Sequence, residues 1–217
     1  MIQLNYSGQL IYFDEKEILI PGKHYNKLCK ISSDINEHLP TLKKYTEKCD
    51  IVAEMGVRFA CSTWSFIEGK PKKLRCYDIN YDFFKPSENI IKEMCKKYNI
   101  EFEFILGDSL KIDILNTDLL FIDTLHTYNQ LLGELKKHSI NVNKWIILHD
   151  TVSFGSCDEH IYEHASEIVK KTTSDKKGLI DAVNDFLKEN KNWIIKEVFT
   201  NNNGLTILER KTNIDNE

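Results

Sequence analysis

Apolar and polar positions along the chain fall into short runs that alternate between two periods. Ile51–Met55, Leu74–Tyr77, Phe102–Leu106, Leu119–Ile122 and Trp145–Leu148 are nearly continuous apolar runs, each bounded by polar or turn residues. Runs of that length and composition predict strands buried on both faces. Between them lie stretches with helical spacing. Ile35, Leu39, Leu42 and Tyr45 share one face, with Ser33 or Asp34 as cap and Glu37 in the first turn. Ser62–Glu68 predicts a short helix. Pro86 opens another with Ile90, Ile91, Met94 and Tyr98 inward. Tyr128–His138 buries Leu131, Leu132 and Leu135, and Leu179, Ile180, Val183, Phe186 and Leu187 mark a strongly amphipathic helix. Near the C-terminus, Trp193–Phe199 and Leu205–Leu208 flank Asn201-Asn-Asn-Gly204, a strong hairpin signal.

Strand–helix alternation with apolar strands predicts a parallel sheet covered by helices on both faces. The expected fold is α/β, a doubly wound, Rossmann-like, mostly parallel seven-stranded sheet with an antiparallel C-terminal β-hairpin. Residues 1–32 read as an N-terminal extension in which Leu10–Phe13 and Ile18–Ile20 could pair. Residues 33–217 then form a single domain. The stretch 152–177 is long for a connection, and predicts a lid or substrate wall carrying Phe154, Tyr162, His160 and His164. At helical spacing the two histidines would share a face.

Composition narrows the class. The chain has 217 residues, 41% hydrophobic and 29% charged, with 29 Lys and Arg against 33 Asp and Glu. A net charge of −4 lacks the basic excess of a nucleic-acid binder. No apolar run approaches the ~20 residues that span a bilayer. The six cysteines form no CxxC pair. They read as small hydrophobes of a reduced, intracellular, cytoplasmic protein.

Ligands of such folds bind at the carboxyl ends of the strands. Asp78, Asp108, Asp123 and Asp150 end four of the predicted strands, and Glu54 precedes Gly56 at the end of a fifth. Gly56 and then Asp78, 22 positions on, follow the logic of a nucleoside site: a glycine turn beside the ligand, then a carboxylate for ribose hydroxyls. Arg58 and Ala60 stand where further glycines would be expected, which disfavours a pyrophosphate.

These residues carry a resemblance. Glu54-x-Gly56 with Ser62-Thr63, then Phe121-Ile-Asp123-x-x-His126-x-Tyr128, then His149-Asp150-Thr151, resemble motifs of class I S-adenosylmethionine-dependent methyltransferases. The branch they resemble is the macrocin O-methyltransferase-like and cephalosporin-hydroxylase-like one. The resemblance is close over residues 50–150. It implies S-adenosylmethionine as cofactor and a hydroxyl of a small molecule or sugar as acceptor. Gly56 and Glu54 would lie beside the methionine part, with Ser62 and Thr63 on its carboxylate. Asp78 would take the ribose, and Asp108 and Ser109 would lie near the adenine. Asp123 would face the methionine amino group, a metal, or both.

Methyl transfer to oxygen needs a deprotonated or nearly deprotonated hydroxyl, which Mg²⁺ or another divalent ion can supply. Asp123 and Asp150 are the expected ligands with His149 as the third, and imidazole would favour a transition metal. His126, with Asp123 and Asp150, is the candidate catalytic base. Two other readings stay open: a non-catalytic binding or structural module on the same fold, and a nucleotide-dependent enzyme. A homo-oligomer is compatible with all three.

Overall fold

A computed structural model describes residues 2–6, 9–14 and 17–211. The chain divides into two compact units, residues 1–107 and 108–217. In the first, β1 (Ile2–Tyr6) and β2 (Gln9–Phe13) form an antiparallel pair. Then come α1 (Lys23–Leu28), α2 (Leu39–Thr46), β3 (Ile51–Met55), α3 (Thr63–Gly69), β4 (Lys73–Asp78), α4 (Glu88–Lys97) and β5 (Glu101–Leu106). The second unit holds β6 (Thr117–Ile122), α5 (Tyr128–His138), β7 (Val142–His149), α6 (Glu167–Lys171), α7 (Leu179–Glu189), β8 (Trp193–Phe199) and β9 (Leu205–Arg210). The strand order is β5-β4-β3-β6-β7-β9-β8 in a seven-stranded sheet, mostly parallel, with the last hairpin antiparallel. This is the α/β fold expected from the apolar runs. No helix among the described residues is long and apolar enough to cross a membrane.

In the first unit β4 pairs with β3 and with β5, in parallel. Val52, Ala53, Met55, Leu74 and Cys76 are buried, whereas Glu101 and Glu103 leave β5 half exposed. That alternation is what an edge strand shows. The N-terminal hairpin differs from expectation. Leu10–Phe13 pairs with Ile2–Tyr6, while Ile18–Ile20 lies in a turn. Leu4, Ile11, Phe13, Ile18, Tyr25 and Leu28, all before residue 33, are part of the unit's core. The buried His24 ring stacks between Phe13 (4.0 Å) and Trp64 (3.8 Å). Burial, and then Lys27, push its pKa down to about 3, so the ring packs as a neutral aromatic. Ser33 caps a turn through the N–H groups of Ile35 and Asn36, and the helix itself starts only at Leu39. The apolar stripe is nonetheless in place, with Ile35, Leu39, Leu42 and Tyr45 all buried.

In the second unit β6 and β7 are parallel and β9 runs antiparallel to β7. Leu119–Ile122 and Ile146–Leu148 are buried, as full coverage on both faces requires. Helix α7 buries Leu179, Ala182, Val183 and Phe186, each large side chain contributing about 1.5–3 kcal/mol. The β8–β9 turn brings Gly204 against the chain after β7. Gly204 has φ +95°, and a Cβ there would lie 2.6 Å from the Val152 nitrogen. Only glycine fits that approach. The turn then accepts the N–H groups of Val152 and Ser153 at the Asn203 carbonyl. The stretch 152–177 holds just one short helix, α6, and His160 and His164 lie outside it. They do not share a helix face. Instead both rings flank Tyr162.

Candidate active site

In the first unit the β3 and β4 ends lie side by side, since Met55 pairs with Tyr77. Gly56 follows with φ +82°, and Arg58 (φ +46°) and Ala60 (φ +61°) also take left-handed backbone. The loop therefore keeps the shape of a glycine loop with two side chains where glycine costs least. Asp78 holds it there. Its Oδ2 accepts the Val57 and Arg58 N–H groups, both at 2.8 Å, and its Oδ1 accepts the Asn80 N–H at 2.8 Å.

Glu54 is fully buried. Its carboxylate accepts hydrogen bonds from the Ser62 hydroxyl, the Thr63 hydroxyl (2.7 Å) and the Cys76 thiol (3.1 Å). Burial, and then the Glu54 charge, hold the Cys76 thiol well above its ordinary pKa, so it stays a donor. Glu54, Ser62 and Thr63 thus form one polar knot that fixes the start of α3.

The second unit gathers the ionisable groups. Ile122 pairs with Leu148, so Asp123 and His149 follow at adjacent strand ends. Asp150 comes next with φ +59°, which turns the chain sharply. His126 sits in the turn before α5, and Thr127 caps that helix by accepting the Gln130 N–H. His126 Nε2 lies 3.1 Å from Asp123 Oδ1 and 3.2 Å from Asp150 Oδ2. His149 Nδ1 lies 3.3 Å from the same Asp123 oxygen and 3.6 Å from Asp150 Oδ2. Glu159, from the stretch 152–177, approaches the far side of the His126 ring, with Oε2 2.9 Å from Nδ1.

Burial alone would lower the pKa of both histidines, but the carboxylates outweigh it. Hydrogen bonds to Asp123 and Glu159, with the charges of Asp123 and Asp150, push His126 up to about 10. Asp123 and Asp150 push His149 up to about 9. Burial would likewise raise Asp123, yet His149 and His126 hold it well below the carboxylate range. The carboxylates around the two histidines thus favour the protonated form of both rings.

One donor atom each from Asp123, His126 and Asp150 lies within 4.8 Å of the others. Donors about 2.1 Å from a common octahedral ion stand about 3 Å apart. The His126–Asp123 and His126–Asp150 separations are close to that value, and two carboxylates with one imidazole form a ligand set that divalent ions accept. The residues present fit a divalent ion.

The remaining expected residues are engaged within the unit. Asp108 Oδ2 accepts the Ser166 hydroxyl at 2.7 Å, and Oδ1 accepts the Leu110 N–H. The Ser109 hydroxyl donates to Glu134 at 2.6 Å. Glu134 is fully buried and also accepts from Thr124 and Gln130. Burial raises it to about 7 against those bonds. Sequence reasoning missed Glu134 and Glu159. A carboxylate four positions after Gln130 on the inward face of α5 was a usable signal for the first. Nothing local marks the second, 33 positions from its partner.

No protein-family model matches the sequence, and no curated protein sequence does. Solved structures do match. The O-methyltransferase TomG from Streptomyces achromogenes, solved with SAM, superposes with a TM-score of 0.57 at 12% identity, over 95% of this chain and 94% of its own. An O-methyltransferase from Bacillus cereus, solved with SAH, gives 0.56 at 15% identity over 93% of each chain. Magnesium protoporphyrin IX methyltransferase from Synechocystis, solved with SAH, gives 0.56 at 11% identity, over 90% of this chain and 97% of its own. The chain has the Rossmann-like α/β methyltransferase fold.

Proposed function

We propose that the protein is an S-adenosylmethionine-dependent methyltransferase that methylates a hydroxyl of a small-molecule or sugar acceptor with the help of a divalent ion. The observation that carries the reading is the cluster of Asp123, His126 and Asp150 where β6 and β7 end. The likeness of fold to TomG and the Bacillus cereus enzyme, solved with SAM and SAH, supports the cofactor.

In the first unit the Gly56 loop would meet the methionine part, beside Glu54, and Asp78 the ribose. Asp78 already takes three backbone N–H groups, so it both shapes the loop and offers its one remaining lone pair, on Oδ1. Ser62 and Thr63 donate to Glu54, so a role on the methionine carboxylate requires those bonds to exchange. In the second unit Asp108 and Ser109 would lie near the adenine.

Asp123, Asp150 and His126 would hold the ion, with His149 against the same carboxylates. A bound divalent ion lowers the pKa of an acceptor hydroxyl and orients its oxygen. S-adenosylmethionine would supply the methyl group as a sulfonium, to be taken by the acceptor oxygen as the carbon–sulfur bond breaks, and the hydroxyl proton would have to pass to a base. With Nδ1 on Glu159, His126 has only Nε2 to offer, so holding the ion and accepting that proton are alternative roles for it.

Calorimetric titration with S-adenosylmethionine and S-adenosylhomocysteine, with and without Mg²⁺ or Mn²⁺, tests the reading. Binding of both, weakened by Asp78→Ala, is expected. Failure of both to bind overturns it. The engagement of Ser62, Thr63 and Asp78 inside the protein favours a second reading, a binding module that has kept the fold. Metal binding without binding of either cofactor form would promote it. A melting-temperature shift with a dinucleotide alone would instead point to a nucleotide-dependent enzyme.

A further inference from the structure

We propose that Glu159 is a positioning residue, which fixes His126 with Nε2 toward Asp123 and Asp150 as the third ligand of a divalent ion, and so gives the site to a first-row transition ion in preference to Mg²⁺. The inference rests on the metal assistance proposed above and deepens it. An imidazole has two nitrogens and a free ring rotation. It serves as a ligand when one nitrogen is committed elsewhere and the ring plane is fixed.

Both conditions are met by the stretch 152–177. Glu159 Oε2 takes His126 Nδ1 at 2.9 Å and the His126 backbone N–H at 3.2 Å. The Glu159 N–H donates back to the His126 carbonyl at 2.9 Å. The other Glu159 oxygen accepts the Tyr162 hydroxyl at 2.8 Å, so the carboxylate cannot rotate freely. Phe154 stacks on the His126 ring, with centroids 5.0 Å apart and planes within 3°. Only Nε2 is left, and it faces the two aspartates.

The stretch is itself anchored. Asp158 Oδ1 accepts the N–H groups of Tyr128, at the start of α5, and Gly178, just before α7, both at 2.8 Å. Leu179 and Ile180 donate to the Phe154 and Gly155 carbonyls. The long connection is a clamp on the histidine as well as any wall for the acceptor. Carboxylate–imidazole–metal chains of this kind raise the basicity of the ligand, and imidazole ligation favours cobalt, zinc or iron over magnesium.

The test titrates the metal-stripped full chain with Co²⁺, Zn²⁺ and Mg²⁺, by calorimetry and by the visible spectrum of the Co²⁺ form. Wild type should bind Co²⁺ at least about tenfold more tightly than Mg²⁺. Glu159→Ala should weaken Co²⁺ roughly 10–100-fold, shift its spectrum and affect Mg²⁺ less. Glu159→Gln, which keeps the shape, should fall between, and carries the test if the alanine variant does not fold. S-adenosylhomocysteine affinity should be unchanged. Co²⁺ binding that Asp123→Asn abolishes and Glu159→Ala leaves intact overturns the inference while the functional reading stands. Equal affinity for Co²⁺ and Mg²⁺ also overturns it. Glu159-dependent Co²⁺ binding without cofactor binding keeps this inference and removes the methyltransferase reading. A wild type that binds none of the three ions removes both the inference and the metal assistance.

Discussion

The two units each place carboxylates at strand ends, and they satisfy them in opposite ways. In the first, Glu54 and Asp78 receive neutral donors: two hydroxyls, a thiol and three backbone N–H groups. In the second, Asp123 and Asp150 receive two histidine rings. Neutral donors tie a carboxylate to the local backbone and leave its charge in place. Histidine rings neutralise it, and a ring can surrender its proton to an incoming cation. Two acidic pairs of similar origin are therefore built for different work. One shapes a loop, and the other holds positive charge that can be exchanged.

The sharpest way to break that contrast is to remove one partner from the exchangeable side. Asp123→Asn should abolish divalent-ion binding in calorimetry, and turnover with it. It also leaves two buried imidazolium groups facing one fewer charge. The metal-free variant should lose about 3–5 kcal/mol in urea unfolding at pH 7, the range for a broken buried pair. A variant as stable as wild type would mean that the histidines are neutral.

On the neutral-donor side, Glu54→Ala strands the Ser62, Thr63 and Cys76 donors. At about 1–3 kcal/mol per unsatisfied group, a loss of about 3 kcal/mol or more is expected, with no change in metal affinity. A changed metal affinity would show that the two sides are not independent.

The pH dependence separates them further. His126 and His149 have folded pKa values near 10 and 9, above an unfolded value near 6.5. Their stabilisation is complete below about pH 6.5 and disappears as pH rises through 9–10. Asp123 is depressed, so its contribution is present above about pH 4 and fades only in stronger acid. Metal-free protein should be most stable between these limits, and lose on the order of a few kcal/mol from pH 7 to 10.5 in urea midpoints. Asp123→Asn should flatten the alkaline limb. Saturating Co²⁺ should remove most of it, because the ion takes over from the protons.

The smallest effect lies in the loop. Arg58→Gly relieves a left-handed side chain and should stabilise the fold by about 0.5–1 kcal/mol in thermal melts. A loss instead would mean that the arginine side chain holds the loop.

Much of the architecture is legible in the sequence because it depends on local spacing. Leu119–Ile122 and Ile146–Leu148 are buried, as unbroken apolar runs require. Asn201–Gly204 turns between two strands, and Tyr128–His138 is a helix with the expected boundaries. The fold class, and the placing of Asp123 and Asp150 after neighbouring strands, follow from such runs, since parallel strands put their ends together. The errors fall where pattern alone is ambiguous. Leu10–Phe13 pairs with Ile2–Tyr6 in place of the apolar run Ile18–Ile20, because Ile2-Gln-Leu-Asn-Tyr6 alternates and gives no apolar run to read. The pair His160 and His164 has helical spacing but lies in chain that is not helical.

By itself the sequence determined the strands of the seven-stranded sheet, most of the helices between them and the acidic residues that end the strands, because periodicity and turn chemistry act over a few residues. The tertiary structure alone decided what each acidic residue meets. Glu54 finds hydroxyls, Asp108 finds Ser166 and Asp123 finds two imidazoles, while Glu159 crosses 33 positions to reach His126. The reason is that charge, hydrogen bonding and burial depend on distances between residues far apart in the chain, which no local pattern encodes.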